Sequence, residues 1–442
     1  MNWKRTLRIG LFWMLLCCGI SVLWGFFLDR ASRDGMGDFK GIYYDAHCLF
    51  QHLDPYKVDE PLRVYLAEHG ASPSPSDVLR RILSVDVYPP TTSIFVAPFA
   101  LLPYGPAHYL WMILSIGVFT LAAFLIWTSA ADFAPAIAGV LICFVLANSE
   151  AIFATGNTAG IVVGLCMLAV WCFLRDRFVA AGVVCLAVSL AIKPHDAGLI
   201  WLYFLLAGGV YRKRALQALA VTAVLGLAAL VWITPIAPHW LPELHSNLLF
   251  DQLPGGVNDP GPVTASTSGP AMVISLQSTI SVFRDDPRIY NSVSYLICGA
   301  LLLVWAAHTL RLRFSISRAW FALAAVVPLA VLVTYHRPYD AKLLVLTVPA
   351  CSMLWTEGKP VRWIALLATA AGIISTADIP LTILIILTGA LHIPTAALSG
   401  QMLKFVLMRP TPLILLAMGI FYLWIYVRHA KPDIECTQQV SQ

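Results

Sequence analysis

Apolar runs close to membrane-crossing length alternate with short polar breaks along most of the chain, and two long polar stretches interrupt the alternation. Basic Lys4, Arg5 and Arg8 precede an apolar run over residues 9–28. No small-residue cleavage site follows it, so the pattern predicts an uncleaved first span with its basic end in the cytoplasm. From 30 to 90 the chain turns polar and rich in Asp, His and Pro, and a connection of that length usually carries function. Residues 91–102 are apolar but too short to span, which predicts a helix at or dipping into the interface. Pro103-Tyr104-Gly105-Pro106 is expected to break that helix, after which 107–128 makes a full span.

Apolar segments then follow at 135–152, 158–174, 178–192, 198–210 and 216–233. A second polar stretch, about 234–290, is dense in Pro and Gly and predicts irregular chain with a short helix near 272–283. Further segments cover 293–310, 319–333, 343–355, 364–376 and 413–427. Basic groups at Arg175 and Arg177, at 212–214, at Arg311, Arg313 and Arg318, and at Arg428, His429 and Lys431 place those turns in the cytoplasm. The Lys193 turn then faces the other side. About twelve spans result if 379–398, interrupted by Gly389, His392 and Pro394, is re-entrant or interfacial.

Composition agrees with this reading. The 442 residues are 59% hydrophobic and 12% charged, against roughly 25% charged in soluble domains. The expected class is an all-α integral membrane protein, one multispan domain over 1–442, with outer loops at 29–106 and 234–290. The net charge of +5 sits largely in short loops, so it reports topology and gives no reason to expect a nucleic-acid partner. Ten cysteines, most inside apolar runs, form no disulfide or zinc pattern, and no P-loop or dinucleotide fingerprint appears.

The candidate chemistry lies in polar residues at turns and span ends assigned to the outer face: Asp38, Asp86, Lys193, His336, Arg337 and Asp340. Ionisable groups at a membrane are costly and mark substrate pathways. A carboxylate suits a base for a sugar hydroxyl, and cations suit a phosphate. Each residue also has a plainer reading. Asp38 suits the N-cap of a helix starting near Phe39, Lys193 suits snorkelling to headgroups, His336 suits a buried backbone partner, and Arg337 suits anionic lipid.

Taken in order, Asp38-Phe39, Tyr43-Tyr44, Asp54-Pro55-Tyr56, Tyr88-Pro89-Pro90, Gly156-Asn157, Ile192-Lys193-Pro194, Gln277-Ser278 and His336 to Tyr339-Asp340 resemble glycosyltransferase family 87, over about 36–350. The resemblance implies a GT-C fold and a transferase that takes a polyprenyl-phosphate sugar, mannose by default, on the non-cytoplasmic face of a bacterial inner membrane. It implies Asp38 as general base and His336 beside the donor phosphate; Lys193 and Arg337 are expected as further cations there from their charge. Tyr43, Tyr44, Tyr88, Asn157, Gln277 and Asp340 are expected to line the substrate pocket. No cofactor or metal is expected, and the partners are the lipid-linked donor, a lipid or glycan acceptor and membrane lipids. A lipid or glycan transporter is the alternative. The enzyme reading requires Asp38 and His336 to meet at one outward-opening pocket.

Overall fold

The computed structural model describes residues 35–70, 75–253, 258–261, 273–392 and 409–429, together with residues 8, 12, 19, 399, 402, 403, 406 and 407. The first span expected at 9–28 and the basic tail beyond 429 therefore lie largely outside the described residues. Helices α1 (Gly37–Phe50), α2 (Glu60–His69), α3 (Asp77–Ser84) and α4 (Pro90–Ala100) fill the first polar stretch. Then come α5 (Tyr104–Ala130), α6 (Pro135–Ala147), α7 (Glu150–Ala154), α8 (Ala159–Leu174), α9 (Val179–Ile192), α10 (Pro194–Ala207) and α11 (Gly209–Ile233). The second polar stretch carries α12 (Trp240–Gln252) and α13 (Leu276–Ile280). The chain continues through α14 (Pro287–Arg311), α15 (Ile316–Val333), a 3-10 segment (Asp340–Thr347), α16 (Val348–Thr356), α17 (Lys359–Ser375), α18 (Ile379–Ala390) and α19 (Thr411–Arg428). No strand occurs among the described residues.

Six described helical segments are long and apolar enough to cross a bilayer: α5, α6 with α7, α11, α14, α15 and α19. Helix α5 has 27 residues, about 40 Å at 1.5 Å per residue, against a hydrocarbon core of about 30 Å. Helix α15 is apolar on every side and nearly all buried, as a central helix must be. It packs along α19, while α8 sits between α5 and α9. Gly164 permits the last arrangement, since a Cβ there would stand 3.1 Å from the Phe119 backbone. Helix α11 differs. It buries Ala215, Ala218, Ala229 and Ile233 but exposes Leu216, Leu219, Val224, Leu227 and Val231. An apolar face of that extent fits lipid rather than water.

Several boundaries moved for identifiable reasons. The expected break is present but falls at 101–103, between the end of α4 at Ala100 and the start of α5 at Tyr104, with Pro103 as N-cap. Proline is tolerated in a first turn because those N–H groups have no helical acceptor. By the same rule α10 begins at Pro194 rather than near 198, which brings His195 and Asp196 into its first turn. The single span expected over 343–355 is a 3-10 segment followed by α16. The Thr411 hydroxyl donates to Ser375 O at 3.1 Å, so the chain between α17 and α19 leaves and returns at one end of the bundle.

The basic turns collect at the other end. Arg8 and Arg175 both reach Asp132, at 2.8 and 3.3 Å. Arg214 pairs with Asp176 and donates to Phe173 O at 3.0 Å, which joins the two basic turns expected to share a face. The Tyr211 and Phe314 rings stack at 4.0 Å, and His429 lies 3.8 Å from Glu357, adding three more turns to that end. The seven described cysteines are all free.

Candidate active site

At the end opposite those basic turns, α1 starts against the short link between α7 and α8. Met36 N–H donates to Ala154 O at 3.1 Å, and the Asp38 and Phe39 N–H groups donate to Thr155 O at 2.9 and 3.3 Å. Carbonyls from another segment thus take up amides that a helix start leaves unpaired. The contact requires Gly156. Its φ is +66°, and a Cβ would lie 2.7 Å from Phe39 Cβ and 3.0 Å from Met36 Cβ. The indole of Trp111 holds the link from the far side, donating to Gly156 O at 2.9 Å.

Capping does not account for Asp38. The N-cap of α1 is Met36, without a side-chain bond, and Asp38 lies in the first turn. Its Oδ2 accepts from Asn157 Nδ2 at 2.7 Å. The amide orientation is fixed, because Asn157 Oδ1 accepts from the Ala159 N–H at 2.9 Å and only the NH2 group remains for the carboxylate. The same nitrogen lies 3.2 Å from the Tyr339 hydroxyl and 3.5 Å from that of Tyr88. Burial first, then the charge of Asp38, pushes the Tyr88 phenol up, so it stays a neutral donor near neutral pH.

A second group adjoins the first. Lys193 Nζ donates to Asp340 Oδ1 at 2.7 Å and stands 5.3 Å from the Tyr339 ring centre. Asp340 Oδ2 accepts the Arg337 N–H at 2.8 Å. Asp340 therefore uses one oxygen on the turn between α9 and α10 and the other on the loop after α15, and joins the two. The Arg337 guanidinium lies over the Tyr335 and Tyr339 rings and reaches Asn258 Oδ1 at 3.2 Å. Behind it, His336 Nε2 is 3.2 Å from Asp196 Oδ1 and its Nδ1 is 3.1 Å from Thr334 O. His195 flanks the pair, its ring centre 5.1 Å from that of His336.

Asp38, Tyr88, Asn157, Lys193, His336, Arg337 and Asp340 thus gather at one end of the bundle, linked through Asn157, Tyr339 and the loop between α15 and the 3-10 segment. The other three expected pocket residues lie elsewhere. The Tyr43 hydroxyl donates to Leu102 O at 2.8 Å and the Tyr44 hydroxyl to Glu68 at 2.9 Å, both side chains buried among α1 to α5. On α1 they sit one to two turns beyond Asp38, and their faces meet α2 and α5. Gln277 supports the site from behind, its Nε2 donating to Val333 O at 2.9 Å while Ile274 N–H holds His336 O at 2.9 Å.

The expectation missed Tyr339, His195 and Asp196 as contributors. The last two follow Lys193-Pro194 directly, so the signal was their place in the first turn after a helix-starting proline. Asp86 is set apart. It is buried near Asp45 and accepts the Tyr88 N–H at 2.8 Å, which orients the turn carrying Tyr88.

No curated protein and no solved structure gives a match to this chain. The model of glycosyltransferase family 87 matches residues 87–334. That span holds Tyr88, Asn157, Lys193, Asp196 and Gln277, stops two residues before His336, and leaves Asp38 outside. On more than half of its length, and with these polar residues gathered at one end of a helical membrane protein, the chain belongs to glycosyltransferase family 87.

Proposed function

We propose that the protein transfers a hexose, mannose by preference, from a polyprenyl-phosphate sugar to a lipid or glycan acceptor at the non-cytoplasmic face of the membrane. Asp38 takes the proton of the acceptor hydroxyl as its oxygen attacks the anomeric carbon. The bond to the lipid phosphate breaks on the opposite face, so the sugar configuration inverts. Lys193 and Arg337 stabilise the negative charge that develops on the departing phosphate, an electrostatic role aimed at the transition state, while His336 lies behind them with its ring nitrogens facing Thr334 O and Asp196.

The observation that carries this reading is the 2.7 Å bond from the Asn157 amide to Asp38 Oδ2. It holds one carboxylate oxygen at a fixed angle, and Oδ1 has no hydrogen-bond partner among the described residues. A base held by a neutral donor keeps its orientation without a paired cation to quench it. Asp38 is half-buried, at the rim of the cluster rather than within it.

The test uses purified protein in detergent or nanodiscs with radiolabelled polyprenyl-phosphate sugars (mannose, glucose, galactose and arabinose). Asp38→Asn should lower transfer by about 10²–10⁴-fold with unchanged elution and melting. Full transfer by the folded variant removes Asp38 from the mechanism. Label that crosses a vesicle membrane without joining an acceptor replaces the transferase with a transporter.

A further inference from the structure

We propose that His195, Asp196 and His336 bind one divalent transition-metal cation of the zinc class. Two of the three lie in the first turn of α10, and the third comes from the loop that follows α15. One donor atom from each lies within 4.8 Å of the others. His336 Nε2 is 3.2 Å and His195 Nε2 3.8 Å from the same Asp196 Oδ1. Ligands of a tetrahedral zinc ion at about 2.0–2.1 Å stand roughly 3.3 Å apart; the His336–Asp196 pair already has that separation, and the other pairs, within 4.8 Å, reach it by small side-chain shifts.

His336 Nδ1 faces Thr334 O at 3.1 Å, and a carbonyl there demands the N–H. The lone pair is then on Nε2, directed at a carboxylate oxygen. This arrangement is that of a metal-binding histidine oriented by a backbone carbonyl. Neither Asp196 oxygen nor His336 Nε2 has a hydrogen-bond partner among the described residues, and both residues are at most 1% exposed. Facing lone pairs in a buried site repel unless something positive lies between them. A proton on His336 answers that contact alone, whereas a cation also draws in the His195 nitrogen 3.8 Å from the same oxygen.

Lys193 does not take that place. Its Nζ is committed to Asp340 at 2.7 Å and stands 3.8 Å from the other Asp196 oxygen. Two imidazoles and one carboxylate suit zinc and its neighbours rather than magnesium or calcium. Three protein ligands leave a coordination position open, and the exposed edge of His195 puts it within reach of solvent. Cation binding rests on these side chains alone, and its service to the donor rests on the transferase reading. Three carboxylates (Asp38, Asp196, Asp340) outnumber two fixed cations (Lys193, Arg337) in the cluster. One dication reverses that sign and favours an anionic phosphodiester.

The experiment measures metal in purified full-length protein, loaded with zinc, dialysed and analysed by mass spectrometry, with cobalt(II) absorption as a second readout. Wild type should retain about one equivalent, and His195→Ala and Asp196→Asn should bind at least about tenfold more weakly. His195→Cys should restore retention, since a thiolate replaces the imidazole; His195 is exposed, so these variants fold even if Asp196→Asn does not. Wild type that retains no metal, or His195→Ala that retains as much as wild type, overturns the site. Zinc-free protein that transfers sugar at the full rate overturns its role toward the phosphate while metal content still reports the site.

Discussion

At the residue scale, the site depends on directed hydrogen bonds more than on charge count. Asn157 places one amide nitrogen between a carboxylate and two phenols because a backbone N–H fixes its other end. Asn157→Ala should lower kcat by roughly 10–100-fold with KM little changed, matching the about 1.5–3 kcal/mol of a hydrogen bond to a charged group. Asn157→Asp should be worse, since it sets a second carboxylate against Asp38. Steady-state rates on one donor check both, and an equal loss in the two variants or a change confined to KM contradicts the assignment. Of these contacts the sequence showed only residue types. The partner of Asp38 lies 119 positions away, and no local pattern encodes a pairing made by packing.

Among the elements, the joint between α1 and the link before α8 is held by three backbone hydrogen bonds and leaves no room for a Cβ at Gly156. Gly156→Ala adds a Cβ where φ is +66° and Phe39 Cβ would be 2.7 Å away, a cost of about 1–3 kcal/mol from backbone strain and crowding. Melting temperature should fall and transfer should fall with it; an unchanged melt would mean that the α1 joint yields freely. The turn carrying Tyr88 gives a pH signature. Burial raises the Asp86 carboxyl to about 7, the Tyr88 N–H opposes this and Asp54 adds to it, while burial and then Asp86 hold Asp45 well above the usual range. The folded state thus prefers the protonated acid. The stability this preference contributes is complete below the unfolded value of about 4 and is lost as pH rises through about 7. Asp86→Asn should therefore melt above wild type at pH 8 and together with it at pH 4. Scans across that range that run parallel would show that Asp86 is ionised throughout.

Across the whole molecule, two chemically different ends face apart: one holds Asp132, Arg175, Asp176 and Arg214, the other Asp38, Lys193 and the 334–340 loop. Helix α5 runs between them, from beside Leu101 to beside Asp132. In the proposed orientation a membrane-impermeant thiol reagent should label Leu101→Cys from the non-cytoplasmic side and Asp176→Cys only after permeabilisation. Both side chains project from the bundle, Leu101 being 71% exposed and the Asp176 side chain 76%. The reverse pattern would put the site in the cytoplasm, away from a donor presented on the outer face.

The amino-acid pattern was sufficient for the membrane class, the helical class, the order of the apolar segments and the face shared by the basic turns. These follow from local hydrophobicity and from charge within a few residues of a span end, which act along the chain. It also identified Asp38, Asn157, Lys193 and His336 as candidates through their order. Tertiary packing alone decided that Tyr43 and Tyr44 turn into the helix packing beside α1, that Asp340 is spent on joining two loops, and that His195 and Asp196 stand beside His336. A side chain's partner depends on which helix faces cross at its level, and that is set by contacts between segments 24 to 147 residues apart.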